Sequence, residues 1–177
     1  MRVRVVGNSG SGKSTFGRRL STKLGVPYVE LDALNHRPGW TEAPVHEFRA
    51  EVASRLAEHE RTSGGWGVDG NYRSRLGDVA NPDLFVWLDY PRMLTFLRVL
   101  RRTLSRVLFR RSLWNGNRER VRNLVSRDPQ QNILLWSWTQ HHDKRSRYES
   151  ASIQEPERWV RLQNPREAEA WLRGFLQ

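Results

Sequence analysis

Five short apolar or β-branched segments, each separated from the next by a helical stretch, predict an α/β fold. The expected form is a three-layer sandwich with helices on both faces of a five-stranded, mostly parallel sheet. The length of 177 residues fits one such domain, residues 1-177, and no repeat, low-complexity tract or linker divides it. The fourth segment, Leu84-Phe-Val-Trp-Leu88, is apolar throughout, as a strand covered on both faces must be.

The elements follow in order. Arg2 to Val6 alternates β-branched residues as a first strand, then a Gly-rich loop leads into a helix from Lys13 to Leu24. Val26 to Leu31 is the second strand. A helix is expected from about Thr41 to His59, with Val45, Phe48, Val52 and Leu56 on one apolar face. Trp66 to Asp69 ends the third strand. Pro91 suits the first turn of the long helix after the fourth. Gln131 to about Tyr148 reads as helix, Arg158 to Leu162 as the fifth strand, and Pro165 to Leu176 as a closing helix capped by Asn164. Ligands of such sheets bind at the carboxyl ends of the strands, so the chemistry is expected after residues 6, 31, 69 and 89.

Composition narrows the function classes. With no cysteine, a disulfide scaffold, a Cys-ligated zinc site and a thiolate nucleophile are all excluded. The longest apolar run is too short to span a membrane. Met1-Arg2 runs straight into the first strand, which leaves no room for a cleavable leader and makes a cytoplasmic protein the expectation. The net charge of +11 is concentrated: residues 92–127 contain eleven Arg and a single acid, Glu119. Arginine is the better bidentate partner for phosphate, whether on a nucleotide or on a nucleic acid.

Gly7-Asn8-Ser9-Gly10-Ser11-Gly12-Lys13-Ser14-Thr15 fits the phosphate-loop pattern G-x-x-x-x-G-K-[ST], with a strand before it and a helix after it. Glycines let successive N–H groups turn inward around phosphate oxygens, and the helix N-terminus adds its positive end. Lys13 is expected at the β- and γ-phosphates of ATP, and the Ser14 hydroxyl on Mg²⁺. The fold expectation thereby sharpens to a P-loop NTPase sandwich. Such a loop needs an acid at the end of a neighbouring strand. Asp69, before Gly70, is the candidate for the magnesium shell. Asp32, ending the second strand, could take a proton from an acceptor hydroxyl or orient the acceptor. Asp89, before Tyr90-Pro91, reads as a cap of the following helix.

These residues resemble the P-loop nucleoside-monophosphate-kinase-like proteins, and within them the adenylate-kinase-like topology-modulation (FlaR-type) group. Asp69-Gly70-Asn71-Tyr72-Arg73 is similar to the Asp-Gly-Phe-Pro-Arg run of adenylate kinases, although Asn71-Tyr72 replaces Phe-Pro. Leu88-Asp89-Tyr90-Pro91 with Arg98 and Arg102 resembles the stretch leading into their lid. Leu162-Gln-Asn-Pro-Arg-Glu-Ala-Glu-Ala170 resembles their last strand and helix. Leu31-Asp32-Ala33-Leu34, Pro38-Gly39-Trp40 and Trp114-Asn115-Gly116-Asn117 resemble the topology-modulation group itself. The resemblance implies an Arg-rich lid over about 92-127, Arg98 and Arg102 on the transferring phosphate, and Arg73 facing the acceptor.

Arg98, Arg102, Arg106 and Arg110 recur every four residues beside Arg101, while Leu97, Leu100, Leu104, Val107 and Leu108 form another face expected to pack on the sheet. Arg110 to Arg122, broken by Asn115-Gly116-Asn117, predicts a mobile loop and a short helix. Three readings compete for the segment: a kinase lid, a nucleic-acid surface and a solvated basic face. Trp40 could stack on an acceptor base. His141 and His142 read as helix-surface histidines, and Trp136 and Trp138 as core or half-buried residues.

The expected function is ATP- and Mg²⁺-dependent phosphoryl transfer to a small acceptor, a nucleoside monophosphate among the candidates. Lys13, Arg98, Arg102 and Asp32 are its catalytic residues, residues 7–15 hold the nucleotide, Ser14 and Asp69 hold the metal, and Asp32, Trp40 and Arg73 meet the acceptor. The alternative is a nucleotide-regulated nucleic-acid-binding protein using the arginine segment. An ATP hydrolase or a kinase of a larger metabolite is a third reading.

Overall fold

Strands β1 (Arg2–Gly7), β2 (Tyr28–Glu30), β3 (Trp66–Asp69), β4 (Leu84–Leu88) and β5 (Trp159–Leu162) form one sheet in the order β2-β3-β1-β4-β5. Every neighbouring pair is parallel. The computed structural model describes residues 1–109, 112–117, 126, 128 and 132–175. Seven helices are described: α1 (Lys13–Leu24), α2 (Leu31–Asn35), α3 (Val45–Ser63), α4 (Arg73–Leu76), α5 (Arg92–Leu108), α6 (Ile133–Gln154) and α7 (Pro165–Gly174).

Alternation along β1 assigns the layers, because successive side chains point to opposite faces of a sheet. Val3 and Val5 join Phe16 and Leu20 of α1 and Ala168 and Leu172 of α7 in one core. The other face carries two separate clusters. Trp66 and Val68 pack with Phe48, Val52 and Leu56 of α3 and Leu76 of α4. Val6, Phe85 and Trp87 pack with Tyr148 of α6 and with Trp159. Between them sits Arg4, in register with Val68 on one side and Phe85 on the other. The expected sandwich is thus observed, with an all-parallel sheet.

Helix α1 has the expected bounds, since Gly12 and Gly25 flank it in left-handed conformation. Asn164 caps α7, its Oδ1 accepting from the Glu167 N–H at 3.0 Å, with Pro165 at the first helical position. Several elements differ from expectation, among them α6, which runs to Gln154 instead of ending near Tyr148, and the unexpected short helix α4. The second strand is only Tyr28–Glu30, and Asp32 lies in the first turn of α2. Helix α3 starts at Val45, not Thr41, because residues before it form a 3-10 turn at Pro38–Trp40 and a bridge from His36 to Glu42. Val45 is exposed while Phe48, Val52 and Leu56 are buried.

Helix α5 corrects the expected packing. Its buried stripe is Thr95, Val99 and Thr103, whereas Leu97 and Leu104 are each 51% exposed. The cause is a close approach to the phosphate loop: a Cβ on Gly10 would lie 2.3 Å from the Thr95 carbonyl oxygen and 2.7 Å from a Val99 methyl. Only small side chains fit in that seam, so the leucines turn outward. Arg110 and most of the expected loop and short helix up to Arg122 lie outside the described residues. No helix among the described residues is long and apolar enough to cross a membrane.

Candidate active site

The loop between β1 and α1 has the backbone that its glycines imply. Gly10 (φ +82°) and Gly12 (φ +92°) are left-handed, and no side chain caps the first N–H groups of α1. A turn bond from the Ser11 N–H to the Asn8 carbonyl, 3.2 Å, tightens the loop. Asn8 Nδ2 donates to the Ser137 carbonyl at 2.9 Å, fastening the loop to α6. Asn71, just past β3, fastens its start: Nδ2 donates to the Gly7 carbonyl at 2.9 Å, and Oδ1 accepts from the Tyr148 hydroxyl at 2.7 Å.

Two expected partners meet directly. The Ser14 hydroxyl donates to Asp69 Oδ2 at 2.6 Å, while Asp69 Oδ1 is buried without a hydrogen-bond partner among the described residues. Burial pushes the Asp69 carboxyl up to about 6, against the opposing effects of the Ser14 hydrogen bond and of Lys13. Lys13 Nζ donates to the Asn8 carbonyl at 3.0 Å. Burial pushes its ammonium below the ordinary lysine range. Asp69 and Asp32 resist that shift, and Arg102 adds to it. The charges of Lys13, Asp69, Asp32 and Arg102 therefore act on one another in one place.

Asp32 is held by its neighbours. The Tyr72 hydroxyl donates to Asp32 Oδ1 at 2.6 Å, and His36 Nε2 lies 3.5 Å from the same hydroxyl. Burial and the Asp32 charge push the Tyr72 hydroxyl well above its ordinary range, so it stays a donor. Arg98 is exposed on α5, its guanidinium 5.6 Å from the centre of the Tyr90 ring.

Lys144 was missed by sequence reasoning. It comes in from α6, and its ammonium is pushed down to about 8, first by burial and then by Lys13, with Asp32 opposing. It therefore belongs to the same cluster. Nothing in its local sequence marks it, because only the packing of α6 carries it there.

Trp40 adopts φ +62°, and its ring packs against His36 (5.6 Å between centres) and Trp114 (6.5 Å). The Trp114-to-Asn117 turn is clasped onto this loop. Asn117 Oδ1 accepts from the Trp40 N–H at 3.0 Å, Asn117 Nδ2 donates to the Arg37 carbonyl at 2.9 Å, and Asn115 Nδ2 donates to the His36 carbonyl at 2.5 Å. Trp40 is thus packed between the loop that follows α2 and the Trp114-to-Asn117 turn.

Other expectations land elsewhere. The Arg73 side chain lines a separate cavity with Arg4 and Arg158 instead of joining Asp32. Asp89 is not a helix cap: buried, it accepts from Arg161 Nε at 2.9 Å and Nη2 at 2.7 Å, with Arg145 Nε at 3.3 Å. Pro91 occupies the cap position of α5 with no side-chain bond. His141 is buried against the Tyr90 carbonyl at 3.1 Å, while His142 is exposed. Trp138 lies half-buried under the Arg92 guanidinium, 3.4 Å from its ring centre.

The residues present suit Mg·ATP. Helical N–H groups that no side chain caps, and an Asp69 oxygen without a hydrogen-bond partner among the described residues beside the Ser14 hydroxyl, are the donors and ligands that a polyphosphate and a hard cation require.

Fold and loop together define the P-loop kinase architecture. The family model for shikimate kinase matches residues 9–132, and the chain belongs to the shikimate kinase family. It is 36% identical over 59 residues to a shikimate kinase of Paracidovorax citrulli, a match covering 33% of this chain and 32% of that protein. It is 38% identical over 61 residues to a bifunctional shikimate kinase/3-dehydroquinate synthase of Thermotoga maritima, covering 34% of this chain and 12% of that protein. The matched stretch is thus a third or less of either relative's length. Among solved structures, a gluconokinase from Sinorhizobium meliloti 1021 superposes with a TM-score of 0.52 at 22% identity, covering 97% of this chain and 91% of that one. A shikimate kinase from Bacteroides thetaiotaomicron gives 0.51 at 15% identity, covering 98% and 94%. These two likenesses show the fold. The broader resemblance to P-loop kinases is upheld; the narrower one to the topology-modulation group finds no support in these comparisons.

Proposed function

We propose that the protein is an ATP- and Mg²⁺-dependent kinase that phosphorylates a hydroxyl of a small anionic acceptor, a hydroxy acid rather than a nucleoside monophosphate. The observation that carries this reading is the Ser14–Asp69 hydrogen bond at the phosphate loop, with Lys13 under the influence of both Asp69 and Asp32. One carboxylate is joined to the phosphate-loop hydroxyl, the other is held by a tyrosine on the acceptor side.

Backbone N–H groups of residues 7–15 would hold the phosphates, and Ser14 with Asp69 would hold the cation. Mg·ATP, when bound, supplies the transferable phosphoryl group and a neutralising charge. Lys13 and Arg102 would offset negative charge building on the phosphoryl oxygens, and Arg98, on the same helix, would join them. Asp32 Oδ2, the oxygen that Tyr72 does not engage, would take the proton from the acceptor hydroxyl. Lys144, whose charge acts on Lys13 and Asp32, would pair with the acceptor's carboxylate. The Trp40–Trp114 seam would keep water from the site.

The acid substrates named by the family and by one of the fold neighbours support a hydroxy acid. A nucleoside monophosphate is disfavoured, since Arg73, the residue expected to greet its phosphate, lines another cavity. For the nucleic-acid alternative, Arg92 and Arg98 of α5 lie on the rings of Trp138 and Tyr90 while Arg101 is exposed, and salt-titrated binding to duplex DNA separates the two readings. The test is a screen for acceptor-dependent ADP release with Mg·ATP across shikimate, gluconate, other hydroxy acids and nucleoside monophosphates. Turnover with a hydroxy acid is expected. ADP release that no acceptor accelerates would point to a hydrolase.

A further inference from the structure

Away from the phosphate loop, the sheet face shared by α3 and α6 holds a charged cavity of about 110 Å³, between α4 and the C-terminal part of α6. Its lining includes Arg4, Arg73 and Arg158, with Asp78 and Glu155 as the acids. Arg158 is engaged: it donates to Glu155 Oε2 and to Asn81 Oδ1, both at 2.6 Å. Arg4 and Arg73 are not neutralised in this way. Arg4 is 2% exposed, and its guanidinium reaches only the Gly70 carbonyl (3.2 and 3.4 Å) and the Ala80 carbonyl (3.4 Å) among the described residues. Arg73 pairs with no carboxylate among the described residues, and its charge acts against Arg4.

A buried guanidinium with no carboxylate in contact costs several kcal/mol, and the more distant charge of Asp69 and long bonds to neutral carbonyls offset only part of that. Burial lowers the Arg4 guanidinium to about 10, which leaves it charged at neutral pH. A water takes up about 30 Å³ in the liquid, so the space admits an oxyanion.

We propose that this cavity is a second anion site, separate from the phosphate loop, that binds a phosphate-type oxyanion between Arg4 and Arg73. The anion is either free phosphate or the phosphoryl end of a small metabolite. Arg4 and Arg73 both line the cavity, and a guanidinium carries five N–H donors, more than the three long bonds that Arg4 makes, so donors remain for phosphate oxygens. The site also communicates with the catalytic loop. Arg4 holds the Gly70 carbonyl, the next residue Asn71 holds Gly7, and Tyr148, which holds Asn71, lies under the influence of the Arg4 charge. An anion on Arg4 therefore acts one residue away from the clamp on the phosphate loop.

The test is calorimetric titration of inorganic phosphate, and separately of glycerol 3-phosphate, into protein already saturated with Mg²⁺ and a non-hydrolysable ATP analogue. One saturable binding event is expected, weakened at least tenfold by Arg73→Gln and abolished by Arg4→Met. Phosphate binding as tightly as the ester identifies free phosphate as the ligand, and tighter ester binding identifies a metabolite; both support the site. No saturable heat with either probe, or an unchanged affinity in Arg73→Gln, would overturn it. Should Arg4→Met fail to fold, the exposed Arg73→Gln variant decides alone.

Discussion

The Ser14 hydroxyl and the Asp69 carboxylate, 55 residues apart in sequence, share a hydrogen bond of 2.6 Å at the carboxyl ends of two adjacent strands. The bond turns the hydroxyl toward the acid, and Asp69 Oδ1 has no hydrogen-bond partner among the described residues. A cation between them would replace the shared proton contact with two oxygen ligands.

Asp69→Asn is therefore expected to keep the fold, because the amide can still accept from Ser14, and to lower Mg²⁺-dependent transfer by about 10²–10³-fold, the range for loss of one preorganised electrostatic group. Steady-state kinetics across a Mg²⁺ titration, beside circular dichroism of the variant, measures both.

The elevated Asp69 carboxyl also sets a pH dependence for the metal-free protein. Its folded-state value of about 6 lies above the ordinary 3.8, so the native state holds the proton more tightly than the unfolded chain does. Stability from this group is full at low pH and falls as pH rises through about 4 to 6. The loss is on the order of 2–3 kcal/mol, at about 1.4 kcal/mol per tenfold change in proton affinity. Urea denaturation in chelator at pH 4.5 and pH 7 should show it, and Asp69→Asn should flatten this part of the profile.

Most of the framework was legible because local rules and packing agree. The phosphate loop, its flanking strand and α1 follow from glycine geometry alone, and β3, β4 and β5 from short β-branched or apolar runs. What escaped depends on contacts distant in sequence. Leucine spacing suggested a buried face for α5, but the close approach of Thr95 and Val99 to Gly10 reversed it. Asp89 looked like a cap until β5 brought Arg161 against it. Lys144 carries no motif and is placed by α6. Arg73 stands at the offset of a substrate arginine, yet its side chain runs toward Arg4.

The clasp between the lid and the acceptor side is a third point of test. Asn117 is buried and bonded on both sides of its amide, to the Trp40 N–H and to the Arg37 carbonyl. Asn117→Ala removes both bonds from half-buried backbone groups, at about 1–3 kcal/mol in all. Release of the Trp40 and Trp114 rings should change tryptophan fluorescence, and limited proteolysis should cut between residues 109 and 132 sooner. Acceptor-independent ATP hydrolysis should rise relative to transfer, since water then reaches the site.

The most direct test of the central claim is transfer of radiolabelled phosphate from γ-labelled ATP to the best acceptor of the screen, compared between the native protein and Asp32→Asn. Asp32 is held in place by Tyr72 and influences Lys13, so the variant should lose at least about 10²-fold in labelling, as expected for loss of a general base. Its affinity for Mg·ATP should stay unchanged. Equal labelling by the variant would contradict the account, as would a native protein that hydrolyses ATP without labelling any acceptor.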